Sequence, residues 1–301
     1  MRVLQCNIQS VSTSIQLLRQ TVHRLNVDVV LLQEVWHPEE DIFTIWQYTK
    51  PIIKLRHSRE GGGVAIITHK KVKVVHLLEY EVDELEAVWA EVMIDRVRMV
   101  IGSVYVPPGD MNAINALDTV IGKILQSHQQ LLIGMDANAR NSLWDYGCVG
   151  VPLSRKSMSM GVRLEEILDK YGLQLHNTGV PTYCSGSVST APDVTISKGI
   201  GQYGQVSWSV IDDELRTPHE GLLMDIGYRA KVERREVINW KLFDWTAYCS
   251  ETKIKINSLY DKWEKQQNLS VDFMVKELTA SIQQCVETIA TMKIITEHSK
   301  P

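Results

Sequence analysis

The sequence predicts an α/β fold on three observations. Short apolar runs, Val29-Val30-Leu31-Leu32 and Leu131-Leu132-Ile133 among them, are too brief for helices and end abruptly in polar side chains, as strands buried on both faces do. The chain opens strand, helix, strand, an order that favours two neighbouring parallel strands. The helical stretches at 111–127 and 161–171 are interleaved with strands.

Residues 2–8 alternate as a strand. Residues 13–25 carry Ile15, Leu17, Leu18, Val22 and Leu25 at roughly helical spacing, with Ser12 or Thr13 as the N-cap, and 27–34 form the second strand. Gly61-Gly62-Gly63 is a loop running into a buried strand at 64–67. Glycines let backbone turn freely or approach closely, and no Gly-Lys-Ser/Thr follows at the spacing of a phosphate-binding loop. A strand is expected over 69–78. Residues 87–94 and 97–106 read as a pair around a turn at Asp95-Arg96, stopped by Pro107-Pro108-Gly109. A helix over 111–127 puts Ile114, Leu117, Ile121 and Leu125 on one face. Another over 161–171 turns Leu164, Ile167 and Leu168 inward, with Gly172 at its C-terminal end. Short strands follow at 173–176, 182–184, 193–197, 203–211 and 222–228. After that the stretch 229–240 is charged, and two helices are expected from 245 to about 295, broken near 266–270. The tail holds too little apolar surface for a core of its own. The organisation read here is a main domain over 1–228 and a helical extension or linker over 229–301.

The chain has 301 residues, enough for one large domain and an appendage. No apolar run approaches the ~20 residues of a membrane span, so no membrane partner is expected. Met1 leads straight into strand-like sequence, so no signal peptide is expected. Cys6, Cys148, Cys184, Cys249 and Cys285 are odd in number, scattered and without a CxxC pair. That pattern argues for reduced thiols in an intracellular protein, against a disulfide frame or a zinc site. Residues 1–228 hold 20 Lys+Arg against 26 Asp+Glu, a net of −6, while 229–301 hold 12 against 10, a net of +2. The main domain lacks the basic balance common in nucleic-acid binders, although a metal ion in the site can outweigh that.

The candidate functional residues lie where strands end. In Leu131-Leu132-Ile133-Gly134-Met135-Asp136-Ala137-Asn138-Ala139-Arg140, residues two apart on an extended chain face the same way, so Asp136 and Asn138 point together beyond the sheet. A carboxylate can orient or deprotonate water, and an amide can hold an oxygen. Taken alone, the pair also reads as an Asp/Asn-rich turn. The pattern repeats, with Asn7 and Gln9 after the first strand, Gln33 and Glu34 after the second, and Tyr105 before the diproline. Asp193 starts a strand, and His219 precedes Leu222-Leu223-Met224. Each has a plainer reading, as a turn cap, a core aromatic or a loop histidine. The joint arrangement is the signal.

That order, Asn7, Gln33-Glu34, Tyr105, Gly134-Met135-Asp136-Ala137-Asn138, Asp193 and His219, resembles the endonuclease/exonuclease/phosphatase superfamily, the fold of deoxyribonuclease I and the apurinic endonucleases. It is more similar still to the endonuclease domain of non-LTR retrotransposons of the R1/Jockey-like kind. Leu4-Gln5-Cys6-Asn7, Gly61-Gly62-Gly63-Val64-Ala65-Ile66, Val104-Tyr105-Val106-Pro107-Pro108, Leu143-Trp144, Pro181-Thr182-Tyr183 and Pro192-Asp193-Val194-Thr195-Ile196 support it over about residues 1–228. The resemblance implies a four-layer α/β sandwich, two packed mixed β-sheets flanked by helices. The tail resembles the connector that leads to a reverse transcriptase domain in such elements.

On that resemblance the chain is expected to be a metal-dependent DNA endonuclease. It would nick one strand of double-stranded DNA to leave a 3′-hydroxyl primer, inside the cell and in the nucleus, with a reverse transcriptase domain in the full-length element. Glu34, with Asn7, would hold Mg²⁺, with Mn²⁺ as a substitute, since hard ions take carboxylate and amide oxygens. Asp136 would activate the attacking water and Asn138 position it or the phosphate. His219, paired with Asp193, would donate to a phosphate oxygen, as would the Tyr105 hydroxyl. Tyr105, Asn138, Arg140 and, in the hairpin tip 183–190, Ser187 and Thr190 would touch DNA, with Arg155, Lys156 and Arg163 as further phosphate contacts. One departure stands out. Relatives usually carry Ser-Asp-His where this chain has Thr217-Pro218-His219, and Gln9 sits where some have a second acidic ligand. Glu34 is then the one strong carboxylate ligand unless the fold brings Asp212, Asp213 or Asp225 close. Two other readings stay open: a phosphatase of the same superfamily acting on a small phosphoester, and a DNA-binding module weakened catalytically by Pro218.

Overall fold

The computed structural model describes residues 1–36, 43–56, 61–95, 97–148, 154–211, 215, 217–227, 235–238, 242–266, 269–290 and 292–295. Contacts divide the chain into one unit over Met1–Arg229 and a second over Ala230–Pro301. The first unit begins β1 (Arg2–Asn7), α1 (Val11–Arg24), β2 (Val29–Gln33), β3 (Ile52–Lys54), β4 (Val64–Thr68) and β5 (Lys73–His76). It continues β6 (Glu86–Ile94), β7 (Val97–Tyr105), α2 (Met111–Ser127), β8 (Leu131–Asp136) and α3 (Arg155–Tyr171). It ends β9 (Gln174–Leu175), β10 (Tyr183–Ser185), β11 (Val188–Thr190), β12 (Asp193–Lys198), β13 (Val206–Ile211) and β14 (Gly221–Ile226).

Two six-stranded mixed sheets result, in the orders β13-β14-β1-β2-β4-β3 and β5-β6-β7-β8-β12-β9. Each has one parallel pair at its centre, β1 with β2 and β7 with β8. Alternation along β2 shows why its run is wholly apolar. Val30 and Leu32 pack under Leu18 and Val22 of α1, while Val29 and Leu31 face the second sheet, where Val88 and Ile101 meet them. On the far side Ile114, Leu117 and Ile121 of α2 and Leu164 and Ile167 of α3 cover Val104, Ile133 and Val194. The first unit is therefore layered helix, sheet, sheet, helix, the sandwich the resemblance implies.

Polar ties cross the inter-sheet layer. Gln5 donates through Nε2 to the Met135 carbonyl at 3.1 Å and accepts from Thr195 Oγ1 at 2.7 Å. Gln33 donates to Ser103 Oγ at 3.0 Å and to the Gly134 carbonyl at 3.2 Å. Gly134 is required here, because a Cβ at that position would lie 2.7 Å from Gln5 Oε1 and 2.9 Å from Leu31 Cδ1. These ties pin β1 and β2 against β8, the strand that carries Asp136.

Several boundaries differ from the sequence reading. α1 starts at Val11, and the residue before it, Ser10, sits at φ 88° with no side-chain capping bond, so neither Ser12 nor Thr13 is the cap. α3 starts at Arg155, six residues earlier than read, where Ser154 Oγ accepts the N–H of Ser157 at 3.1 Å. The strand expected over 69–78 shrinks to β5, followed by a turn of 3₁₀ helix at Leu78–Tyr80. Short β3 had no counterpart in the sequence reading. Arg96 of the expected turn lies outside the described residues; its neighbour Asp95 takes φ 53°.

The second unit contains β15 (Arg235–Ile238), α4 (Trp245–Glu264), α5 (Val271–Ile289) and β16 (Met292–Ile295). The two expected helices are present, capped by Asp244 and Ser270, and β15 pairs antiparallel with β16. Among the described residues no helix is long and apolar enough to cross a membrane, and the five cysteines are free.

Candidate active site

Strand direction brings the polar residues together. β1 and β2 run parallel and end at Asn7 and Gln33, and β7 and β8 run parallel and end at Tyr105 and Asp136. β12 runs opposite to β8, so its first residue, Asp193, pairs in register with Asp136. β14 runs opposite to β1, which puts His219, two residues before it, at the same edge. The backbone leaves this edge through left-handed turns at Gln9 (φ 40°), Glu34 (φ 52°) and Asn138 (φ 45°). Such conformations cost roughly 1 kcal/mol or more for residues other than glycine and cluster where function requires them.

Asn7 is fully buried between two carboxylates, its Nδ2 donating to Glu34 Oε1 and to Asp136 Oδ2, both at 2.9 Å. Its oxygen accepts the N–H of Gln9 at 3.2 Å. Asn7 thus turns its nitrogen, not its oxygen, to the acids and fixes their spacing. Asn138 braces Asp136 from the other side. Its N–H donates to Asp136 Oδ1 at 3.1 Å and its Nδ2 to the Val106 carbonyl at 3.0 Å. Burial first, and then the charge of Asp193, lift the Asp136 carboxyl well above the usual carboxylate range.

Asp193 and His219 form a buried dyad. His219 Nδ1 lies 2.9 Å from Asp193 Oδ2, and Thr182 Oγ1 donates to the same oxygen at 2.7 Å. Burial disfavours the imidazolium, but Asp193 overrides it, with Asp136 and Glu34 adding, and the His219 pKa is raised to about 9. Thr217 Oγ1 accepts the His219 N–H at 3.2 Å, and the Tyr183 ring meets the imidazole edge-on at 4.9 Å. With Nδ1 engaged, Nε2 is the nitrogen the ring can offer. Tyr105 stays a protonated donor, since burial and then Glu34 and Asp136 push its pKa up.

A cleft of about 420 Å³ is lined by Gln9, Glu34, Tyr105, Asp136, Asn138, Arg140, Thr190 and His219, among others. Asp136, Asp193 and His219 present ligand atoms all within 4.8 Å of one another. Around this edge three carboxylates, Glu34, Asp136 and Asp193, face one imidazole. That excess of hard oxygen donors fits a divalent cation. His219 Nδ1 is already committed to Asp193, which favours a proton-holding dyad over ligation by the ring.

Models of two families match the chain. The one described as the Endonuclease/Exonuclease/phosphatase family covers residues 4–147, and the one described as Endonuclease-reverse transcriptase covers 99–213. The chain is similar to the endonuclease/exonuclease/phosphatase family over these matched stretches. Among solved structures, the endonuclease domain of TRAS1, a telomere-specific non-LTR retrotransposon, has TM-score 0.61 and 20% identity over 75% of this chain and 97% of its own. An AP endonuclease from Leishmania major has TM-score 0.61 and 13% identity over 76% and 88%. A 3′ phosphatase from Neisseria bound to product DNA hairpin has TM-score 0.54 and 12% identity over 76% and 100%. At these identities the structures establish the shared fold. No curated protein matches the chain.

In the structure the sequence-read set of Asn7, Glu34, Tyr105, Asp136, Asn138, Asp193 and His219 meets at one edge. The expected substrate residues divide. Thr190 lines the cleft, whereas Ser187 is exposed at the β10–β11 turn and does not. Arg140 lines it too, but its Nε is ion-paired with Asp145. Arg163 is spent on Asp118 and Glu166 between α2 and α3. Asp225 cannot stand in for the residue at 218, because it pairs with Arg2 at the far end of β14, 2.8 Å away. Asp212 and Asp213 lie outside the described residues. Gln33, read as a mouth residue, is instead an inter-sheet tie. The sequence reading assigned no role to Thr182, Thr217, Arg56 or Glu86. Thr182 was within reach, since it sits in the Pro181-Thr182-Tyr183 motif.

Proposed function

We propose that this chain is a divalent-metal-dependent DNA endonuclease that nicks one strand of double-stranded DNA and leaves a 3′-hydroxyl. The observation that carries the reading is the Asp193–His219 dyad set against Asp136 in the cleft that Glu34, Tyr105 and Asn138 also line. Asp136 in its carboxylate form, braced by Asn7 and Asn138, accepts the proton of the attacking water. His219, held charged by Asp193, donates through Nε2 to a phosphate oxygen, and Tyr105 donates its hydroxyl. Glu34 would hold the cation, Mg²⁺ or Mn²⁺, with Asn7 setting the distance to Asp136. When bound, such an ion offsets the negative charge of the phosphate and of the leaving oxygen. The retrotransposon domain among the structural neighbours and the endonuclease-reverse transcriptase family match support a nick that primes reverse transcription, beside a reverse transcriptase domain; action in the nucleus belongs to the proposal alone.

The test is plasmid nicking in Mg²⁺ or Mn²⁺ with wild type, Glu34→Ala and His219→Ala. Each substitution is expected to lower the rate by roughly 100-fold or more. Nicking indifferent to both would reject the mechanism. The phosphatase neighbour gives a second reading, removal of a phosphate from a small ester or a DNA end. Release of inorganic phosphate without plasmid nicking would select it.

A further inference from the structure

Arg56 lies two residues after β3. In the fold its side chain is only 12% exposed, and its Nε donates to Glu86 Oε2 at 2.6 Å. Glu86 stands opposite Tyr105 in the β6–β7 register, and its other oxygen accepts the N–H of Gly63. The guanidinium carbon lies 5.0 Å from the centroid of the Tyr105 ring. Gly62 makes the room, since a Cβ there would come within 2.4 Å of that carbon, and φ +78° also disfavours any side chain. The Gly61-Gly62-Gly63 run, unused by the hydrolytic chemistry, therefore forms a slot that presses a guanidinium against the tyrosine of the cleft. Nη2 is buried with no hydrogen-bond partner among the described residues, a costly arrangement for a mere strut. Burial, Glu34 and Asp136 all oppose loss of the Tyr105 proton, and Arg56 is the cation that acts the other way.

We propose that Arg56, held by Glu86 and the glycine slot, is a positioning residue for Tyr105, fixing its ring and polarising its hydroxyl toward a phosphate oxygen in the cleft. The inference rests on the phosphodiesterase reading above. No proton leaves the phenol. The neighbouring cation makes the O–H a stronger donor as negative charge builds on the phosphate.

The test is a double-mutant cycle in DNA nicking with kcat and KM measured separately. Tyr105→Phe and Arg56→Met should each lower kcat, by roughly 10- to 100-fold and about tenfold, with KM changed less than about twofold. Arg56→Lys, which keeps the charge and loses the planar fork, should recover part of the loss. In the Tyr105→Phe background, Arg56→Met should cost less than about a further twofold. A tenfold loss in that background would make Arg56 a fold strut and overturn the proposal. A second readout needs no turnover. In carbon-13 tyrosine spectra of the full chain, the Tyr105 ring signal, identified by its loss in Tyr105→Phe, should move in Arg56→Lys or Arg56→Met while the other tyrosines stay. A stationary Tyr105 signal overturns the proposal whether or not the wild type cuts DNA. A moving signal in a protein that cuts no DNA would reject the phosphodiesterase reading and uphold the coupling of Arg56 to Tyr105.

Discussion

Replacing Asp193 with asparagine keeps the shape of the dyad and removes its charge. The His219 pKa is raised from its ordinary 6.5 to about 9, against the burial that alone would lower it. The gap corresponds to roughly 3 kcal/mol, at about 1.4 kcal/mol for each tenfold change in proton affinity. Because the folded pKa lies above the unfolded one, this stabilisation is fully present below 6.5 and is lost as pH rises through about 9. In Asp193→Asn, nuclear magnetic resonance titration of the metal-free protein should show the His219 midpoint falling by roughly two pH units or more. Denaturant unfolding should show the variant less stable by about 3 kcal/mol at low pH, with the gap closing as the wild type loses its proton. A His219 midpoint that stays near 9, or a stability gap that does not change with pH, would refute the assignment of Asp193 as the group that holds the proton.

His176 should show the opposite sign. Burial lowers its pKa to about 4, so it stays neutral beside Ser197 Oγ at 2.7 Å while the unfolded chain takes up a proton. Stability should fall by roughly 3 kcal/mol as pH drops from 6.5 to about 4, and His176→Gln should flatten that slope in unfolding curves. Gly134→Ala places a methyl 2.7 Å from Gln5 Oε1 and 2.9 Å from Leu31 Cδ1. It should lower stability by about 1–3 kcal/mol, and an unchanged denaturation midpoint would show that the sheets part at little cost. Pro218→Asp adds a carboxylate next to His219 and should tighten Mn²⁺ binding by roughly tenfold in calorimetry and raise nicking at limiting metal. Weaker metal binding would show that residue 218 does not reach the ion.

The strands and the polar residues at their ends were legible because apolar runs and alternation are local, whereas the layering and the meeting of those residues at one edge were expected from the resemblance. Val29-Val30-Leu31-Leu32 announces a strand buried on both faces, and of the two polar residues after it Glu34 lines the mouth of the sheet. α2 matched its expected bounds because its apolar stripe runs its full length. The start of α3 was hidden because its first five residues, from Arg155 to Ser159, present no buried apolar side chain and are fixed instead by the Ser154 cap. Gln33 was placed at the mouth although its amide lies wholly inside, tied to Ser103 seventy residues away. Alternation gives the face a residue takes, not the partner that waits there. Arg56 shows the same limit at the site. Alone, a charged residue at a strand end reads as solvated, and so does Glu86 thirty residues later. Their pairing under Tyr105 depends on the β6–β7 register, which sets Glu86 against Tyr105, and on the side-chain-free slot at Gly62. Neither charge is well buried without the other, and the guanidinium fits beside position 62 only because that residue is glycine, so this part of the site is written in three places that only the folded chain brings together.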